Sequence, residues 1–129
     1  MAFPEKRFQI FVSSTYSDLI DERRAVLQAV ASLRHIAVGM EYFAAATVPP
    51  WDYIKDAIDD CDYYVLILGG RYGSLSSDGV SFTEKEYDYA MSKSKPIIAL
   101  LHQYPENLPR ARTDANDSAW ERLQSFRRN

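Results

Sequence analysis

The 129-residue chain carries 15 Lys and Arg against 18 Asp and Glu, a net charge of −3, and 47% of its residues are hydrophobic. That length suits one domain, and the composition is globular and neither disordered nor fibrous. The acidic balance argues against nucleic acid as a partner, because phosphate neutralisation needs a clustered basic surface.

Phe8 to Val12 (FQIFV) predicts the first strand, stopped by the hydroxyl cluster Ser13-Ser14-Thr15. A helix follows from about Asp18, with Leu19, Val26, Leu27, Val30 and Leu33 at helical spacing. Ser17 or Asp18 is its expected cap. Arg23 falls on or near the apolar stripe, one turn after Leu19. An arginine there pairs with a carboxylate, for which Glu41 and Glu86 are candidates, or snorkels to the surface, the more ordinary outcome. Ile36 to Phe43 (IAVGMEYF) predicts the second strand, and Pro49-Pro50 turns the chain into a helix over Trp51–Asp59.

The single cysteine, Cys61, precludes an internal disulfide and makes a reducing compartment the default. It is expected to pack near a strand start, its thiolate disfavoured by Asp60 and Asp62. Tyr63 to Leu68 (YYVLIL) is the most continuously apolar run, as a central strand buried on both faces should be. A long loop, Gly69-Gly70-Arg71-Tyr72-Gly73 and then SLSSDG, leads to a helix over Thr83–Lys93 and a strand from Pro96 to Leu101. Asn107 to Asn116 is loop-like, and Asp117 to Arg128 predicts a last helix with Trp120, Leu123 and Phe126 as its apolar stripe. The basic residues near the end (Arg110, Arg112, Arg122, Arg127, Arg128) alternate with Asp114, Asp117 and Glu121 and read as a solvated face. No apolar stretch of signal-peptide length opens the chain, and its strands are too short to span a bilayer. A soluble, cytoplasmic protein without a membrane partner is expected.

Strict strand–helix alternation with short connections predicts an α/β fold, a flavodoxin-like parallel sheet of four to five strands flanked by helices. Because the last element is a helix, a further strand and helix are expected to follow. The chain then reads as a single domain over 1–129, at the front of a longer protein. In such sheets ligands bind outside the carboxyl ends of the strands, near the switch in strand order. That rule selects Ser13–Asp18, Glu41–Trp51 and Gly69–Thr83.

Within those segments, Ser13, Ser14 and Thr15 precede a helix whose free N–H groups suit a phosphate or ribose hydroxyl. Simple turn and cap chemistry is the more ordinary account of them. Gly69 to Gly73 allow close backbone approach to a ligand, and Arg71 has the fork geometry for a phosphate, or else pairs with a surface acid such as Asp62. Trp51 and Tyr72 are candidate stacking platforms, although helix-face tryptophans usually belong to the core. Ser81-x-x-Glu84 and Thr83-x-x-Glu86 are both capping-box spacings, and only one can cap the helix. With Ser81 as cap, Glu86 is left over to face the cleft. His35 and His102 have no partner at metal-ligand spacing, and no nucleophile elbow is present. No metal or resident cofactor is expected.

The stretches FVSSTYSDLIDERRAVLQAV, GMEYF, W-x-x-I-K-x-x-I-x-x-C-D, YYVLILGGRYGS, SFTEKEYDYA and KPII together resemble a TIR-like family of unknown function. Members of that family stand at the front of multidomain proteins with NACHT or related STAND-type ATPase modules. The resemblance runs from about Phe8 to Leu101. TIR domains that hydrolyse NAD carry a glutamate in a pattern like S-x-x-x-x-E, matched here by Ser81 to Glu86. Nucleoside deoxyribosyltransferases use one in a stretch like E-x-x-Y-A, matched by Glu86 to Ala90. Both resemblances imply Glu86 as the catalytic carboxylate, with Ser13, Ser14, Thr15, Asp18, Trp51, Gly70, Arg71 and Tyr72 around the substrate. They imply NAD as a substrate, self-association through TIR-like surfaces, a downstream ATPase module and a defence or innate-immune-like setting. A non-catalytic oligomerisation or adaptor domain, and a deoxyribosyltransferase-like or nucleotide-binding domain, are the alternatives.

Overall fold

The computed structural model describes residues 7–16, 18–39, 51–114 and 116–128. Four parallel strands form one sheet in the order β2-β1-β3-β4, with β1 at Gln9–Ser13, β2 at Ile36–Val38, β3 at Tyr63–Leu68 and β4 at Ile97–Leu101. Helices α1 (Ile20–Ser32), α2 (Trp51–Asp60), α3 (Phe82–Ser92) and α4 (Asp117–Arg127) follow the strands in strict alternation. This is the expected flavodoxin-like α/β arrangement. Of two short 3-10 turns, Pro105–Asn107 ends where the stretch read as a loop begins, and Arg110–Arg112 lies within it.

The sheet's register carries its burial pattern. Val12 pairs with Val65 and Ser13 with Leu66, so one face gathers Val12, Val65 and Ile67 against Leu19 and α1. Phe11, Tyr64, Leu66 and Leu68 fill the opposite face with Ile54 and Ile58 of α2, Ala90 of α3, and Leu123 and Phe126 of α4. Only β3 is buried along nearly its whole length, as its unbroken apolar run requires. The edge strand β4 differs: Ile98 is 52% exposed and Leu100 44%. Among the described residues no helix is long and apolar enough to cross a membrane.

Several local expectations change. The cap position of α1 is Leu19, with no side-chain cap bond, and both carboxylate oxygens of Asp18 are buried without a hydrogen-bond partner among the described residues. Asp18 is therefore not the cap; Ser17 lies outside the described residues. Strand β2 is observed as Ile36–Val38. The rest of the predicted second strand from Met40 onward, with Glu41 and the Pro49-Pro50 turn, also lies outside them. Cys61 packs as expected, and burial more than its acidic neighbours pushes its thiol above the ordinary range.

Of the basic residues near the end, Arg110, Arg122 and Arg128 are exposed, as the solvated-face reading expects, but Arg112, Arg122 and Arg127 also act as struts. Arg112 donates to the Asp18 carbonyl at 2.7 Å and to the Glu22 carboxylate, Arg127 to the His102 carbonyl at 2.8 Å, and Arg122 to the Gly79 carbonyl. Loop and strand-end carbonyls there have no ladder to join, and long guanidinium stems reach them.

Candidate functional site

The chain leaves β1 for β2 on one side and returns to β3 on the other, so the connections after β1 and β3 diverge. That places the switch in strand order at the carboxyl ends of these two strands, where Ser13 ends β1. Helix α3 crosses this point. Its cap is Ser81, whose side chain accepts from the Glu84 N–H at 3.1 Å. The return leg of the capping box is made through a tyrosine. The Ser81 N–H donates to the Tyr72 hydroxyl at 3.2 Å, which donates to Glu84 Oε2 at 3.1 Å. Glu86, two positions on, plays no part in capping.

Glu86 turns instead to the sheet. Ser13 Oγ donates to Glu86 Oε1 at 2.9 Å, and Glu86 as a residue is only 9% exposed. Burial raises its pKa from 4.5 to about 7, against the opposing effects of the Ser13 bond and the positive charge of Arg23. Arg23 is 1% exposed, so it does not snorkel. It donates to Ser14 Oγ at 2.7 Å and to the Val12 carbonyl at 3.3 Å, fixing the end of β1 from beneath. Tyr64 completes the cluster. Its hydroxyl is fully buried beside Ser13, feels the Glu86 charge, and makes no well-formed hydrogen bond among the described residues. Desolvation first, and Glu86 second, hold that phenol well above the ordinary range.

The residues expected around one substrate thus divide into groups. Ser13, Ser14 and Glu86 belong to the buried cluster. Thr15, Arg71 and Tyr72 line an open cavity of about 560 Å³ whose lining includes neither Ser13 nor Glu86. Tyr72 sits there with its ring packed edge-on against Phe126 and only 2% of its surface exposed, so it offers no stacking face. Gly70 meets the chain's own backbone: a Cβ there would lie 2.6 Å from the Arg112 carbonyl oxygen. Asp18 is buried beneath, where its charge reaches Asp114. Trp51 packs on the outer side of α3, edge-on to Tyr89 and under the Lys85 ammonium at 4.6 Å. Arg71 donates to the Thr113 carbonyl, and Asp62 accepts from the Gln9 N–H instead of pairing with Arg71.

Sequence reasoning missed Tyr64, Asp114, Asn116, Ser118 and Arg122. For Tyr64 a signal existed, since alternation along YYVLIL puts it on the same face as Leu66. For Arg122 there was none, because its approach to Gly79 spans 43 positions and two elements.

Fold and site together define a flavodoxin-like α/β domain with a buried glutamate–serine pair at its strand-order switch. A family model described as a domain of unknown function (DUF4062) matches residues 9–129, and the chain belongs to that family. No curated protein matches it with significance.

Proposed function

We propose that this is a TIR-like domain that hydrolyses the nicotinamide–ribose bond of NAD or a related dinucleotide, with Glu86 as the catalytic carboxylate. The observation that carries the reading is the hydrogen bond from Ser13 to Glu86 at the switch of the sheet, on a glutamate that capping does not use. Departure of nicotinamide with the electron pair of the C1′–N bond leaves an oxocarbenium-like ribose, which a carboxylate stabilises or captures before water adds and a proton is released. A carboxyl group with a pKa of about 7 ionises readily near neutral pH, and Ser13 and Arg23 both favour its charged form.

A signalling domain whose output is assembly is the second reading, favoured by the closed setting of Glu86 and by the bare apolar edge of β4. The two combine if self-association, in a longer protein with a downstream STAND-type ATPase, opens the site. A defence or innate-immune-like role is the setting this implies.

The test is nicotinamide release from NAD by the assembled protein, beside Glu86→Gln and Glu84→Gln. Release abolished in Glu86→Gln and kept in Glu84→Gln supports hydrolysis. Intact self-association with no release from any of the three leaves the signalling reading standing.

A further inference from the structure

The 560 Å³ cavity lies between the loop after β3 and the first turn of α4. Arg71 enters from the loop and Arg122 from α4, and Ser118 adds a hydroxyl in the first turn of that helix. Helix α4 has 11 residues and is capped by Asn116, whose side chain accepts from the Ala119 N–H at 2.7 Å. The positive end of its dipole therefore faces the same space. Leu75, 54% exposed, and Ala119 supply an apolar wall.

Asp114 and Glu84 oppose this field and are engaged, and Asp117 adds a third carboxylate in the first turn of α4. Asp114 accepts from the Tyr72 N–H with both oxygens, at 2.9 and 3.2 Å, and Glu84, which feels Arg122, accepts from the Tyr72 hydroxyl. Arg122 uses one donor on the Gly79 carbonyl, and a guanidinium has five. Asp78, next in the chain to Gly79, is paired with Lys85 at 3.4 Å. Two guanidinium groups, a hydroxyl and a helix start at one end, with an apolar wall beside them, suit a ligand that is anionic at one end and flat and apolar at the other.

We propose that this cavity is a binding site for a nucleoside phosphate, with the phosphate between Arg71 and Arg122 and the base against Leu75. The site stands apart from the Glu86 cluster and does not require hydrolysis there. Its ligand is either a separate nucleotide or the phosphate-bearing part of the dinucleotide.

Calorimetric titration of the protein with ADP, and with adenosine as the uncharged control, tests this. ADP binds in preference to adenosine, and its affinity falls as salt rises. Arg122→Ala weakens ADP by roughly 10- to 100-fold, the loss expected for a charge-assisted contact. Ser118→Glu guards against a folding artefact. An acid in the first turn suits the α4 dipole, so the thermal midpoint holds or rises while ADP is repelled. If NAD competes with ADP in Glu86→Gln, the cavity serves the dinucleotide; if both bind together, it serves a separate nucleotide. No binding of ADP to the wild type, undiminished binding to Arg122→Ala, or equal binding to Ser118→Glu would each overturn the assignment.

Discussion

Ser13 and Glu86 stand 73 positions apart in the chain and share a 2.9 Å hydrogen bond between the end of β1 and the first turns of α3. The bond joins a strand end to a helix face at the point where the sheet changes direction. Its energetic consequence follows from the burial of the acid. The unfolded chain loses this proton near 4.5, whereas the folded chain keeps it until about 7. Between those values the native state binds the extra proton. The stability contributed is therefore complete below the lower value and falls as pH rises to the upper one.

That loss is about 3 kcal/mol at most. Glu86→Gln keeps an acceptor for Ser13 and has no proton to lose. In urea titrations at pH 5 and pH 8, the wild type is expected to lose clearly more stability than the variant over this interval. Parallel behaviour of the two proteins would show that Glu86 is not desolvated.

The Tyr72 hydroxyl relays the capping box between Ser81 and Glu84. Tyr72→Phe and Ser81→Ala should each cost about 1 kcal/mol in denaturant unfolding. Because both remove parts of one hydrogen-bonded unit, the double variant should cost less than the sum. Additive losses would mean that the tyrosine is only packed beside the cap.

Glu22 joins α1 to the far edge of the sheet. His102 Nε2 lies 2.7 Å from Glu22 Oε2, which also receives Arg112. Burial, the largest single influence, works against its charge, but these two bonds together with its backbone hydrogen bond and the Arg112 charge hold the carboxyl below the ordinary range. Stability from this group is present above the unfolded value and lost as pH falls through the folded one. Glu22→Gln should cost about 1 kcal/mol at neutral pH, and the difference should close as acid protonates the folded carboxyl, below the 4.5 of the unfolded group. A difference that persists unchanged at low pH would point to packing instead of charge.

Gly70 leaves no room for a side chain. An added Cβ would meet the Arg112 carbonyl at 2.6 Å and Thr113 Cγ2 at 2.8 Å. Gly70→Ala is expected to destabilise by about 1–3 kcal/mol by pushing this segment away. Arg112 should then lose its hold on the Asp18 carbonyl, which faster amide exchange along the Arg110–Asp114 stretch would report.

The alternation of apolar runs and helical stripes by itself determined the sheet, its parallel sense and the order of its elements. Those features follow from periodicity and connection length, which are local properties. It also brought Ser13 and Glu86 to the same end of the sheet, because the carboxyl-end rule needs only the order of strands and helices. It left two capping boxes open, and a tyrosine nine positions before Ser81 decided between them. The cleft residues were read as one set, since sequence position cannot say which way a side chain turns once its strand or loop is packed. Only the tertiary structure sent Arg23 inward to Ser14, closed Gly70 against the Arg112 carbonyl, and joined Arg71 to Arg122 across one cavity. Each of these depends on burial and on carbonyls left unpaired at strand ends, costs that arise only when distant segments meet.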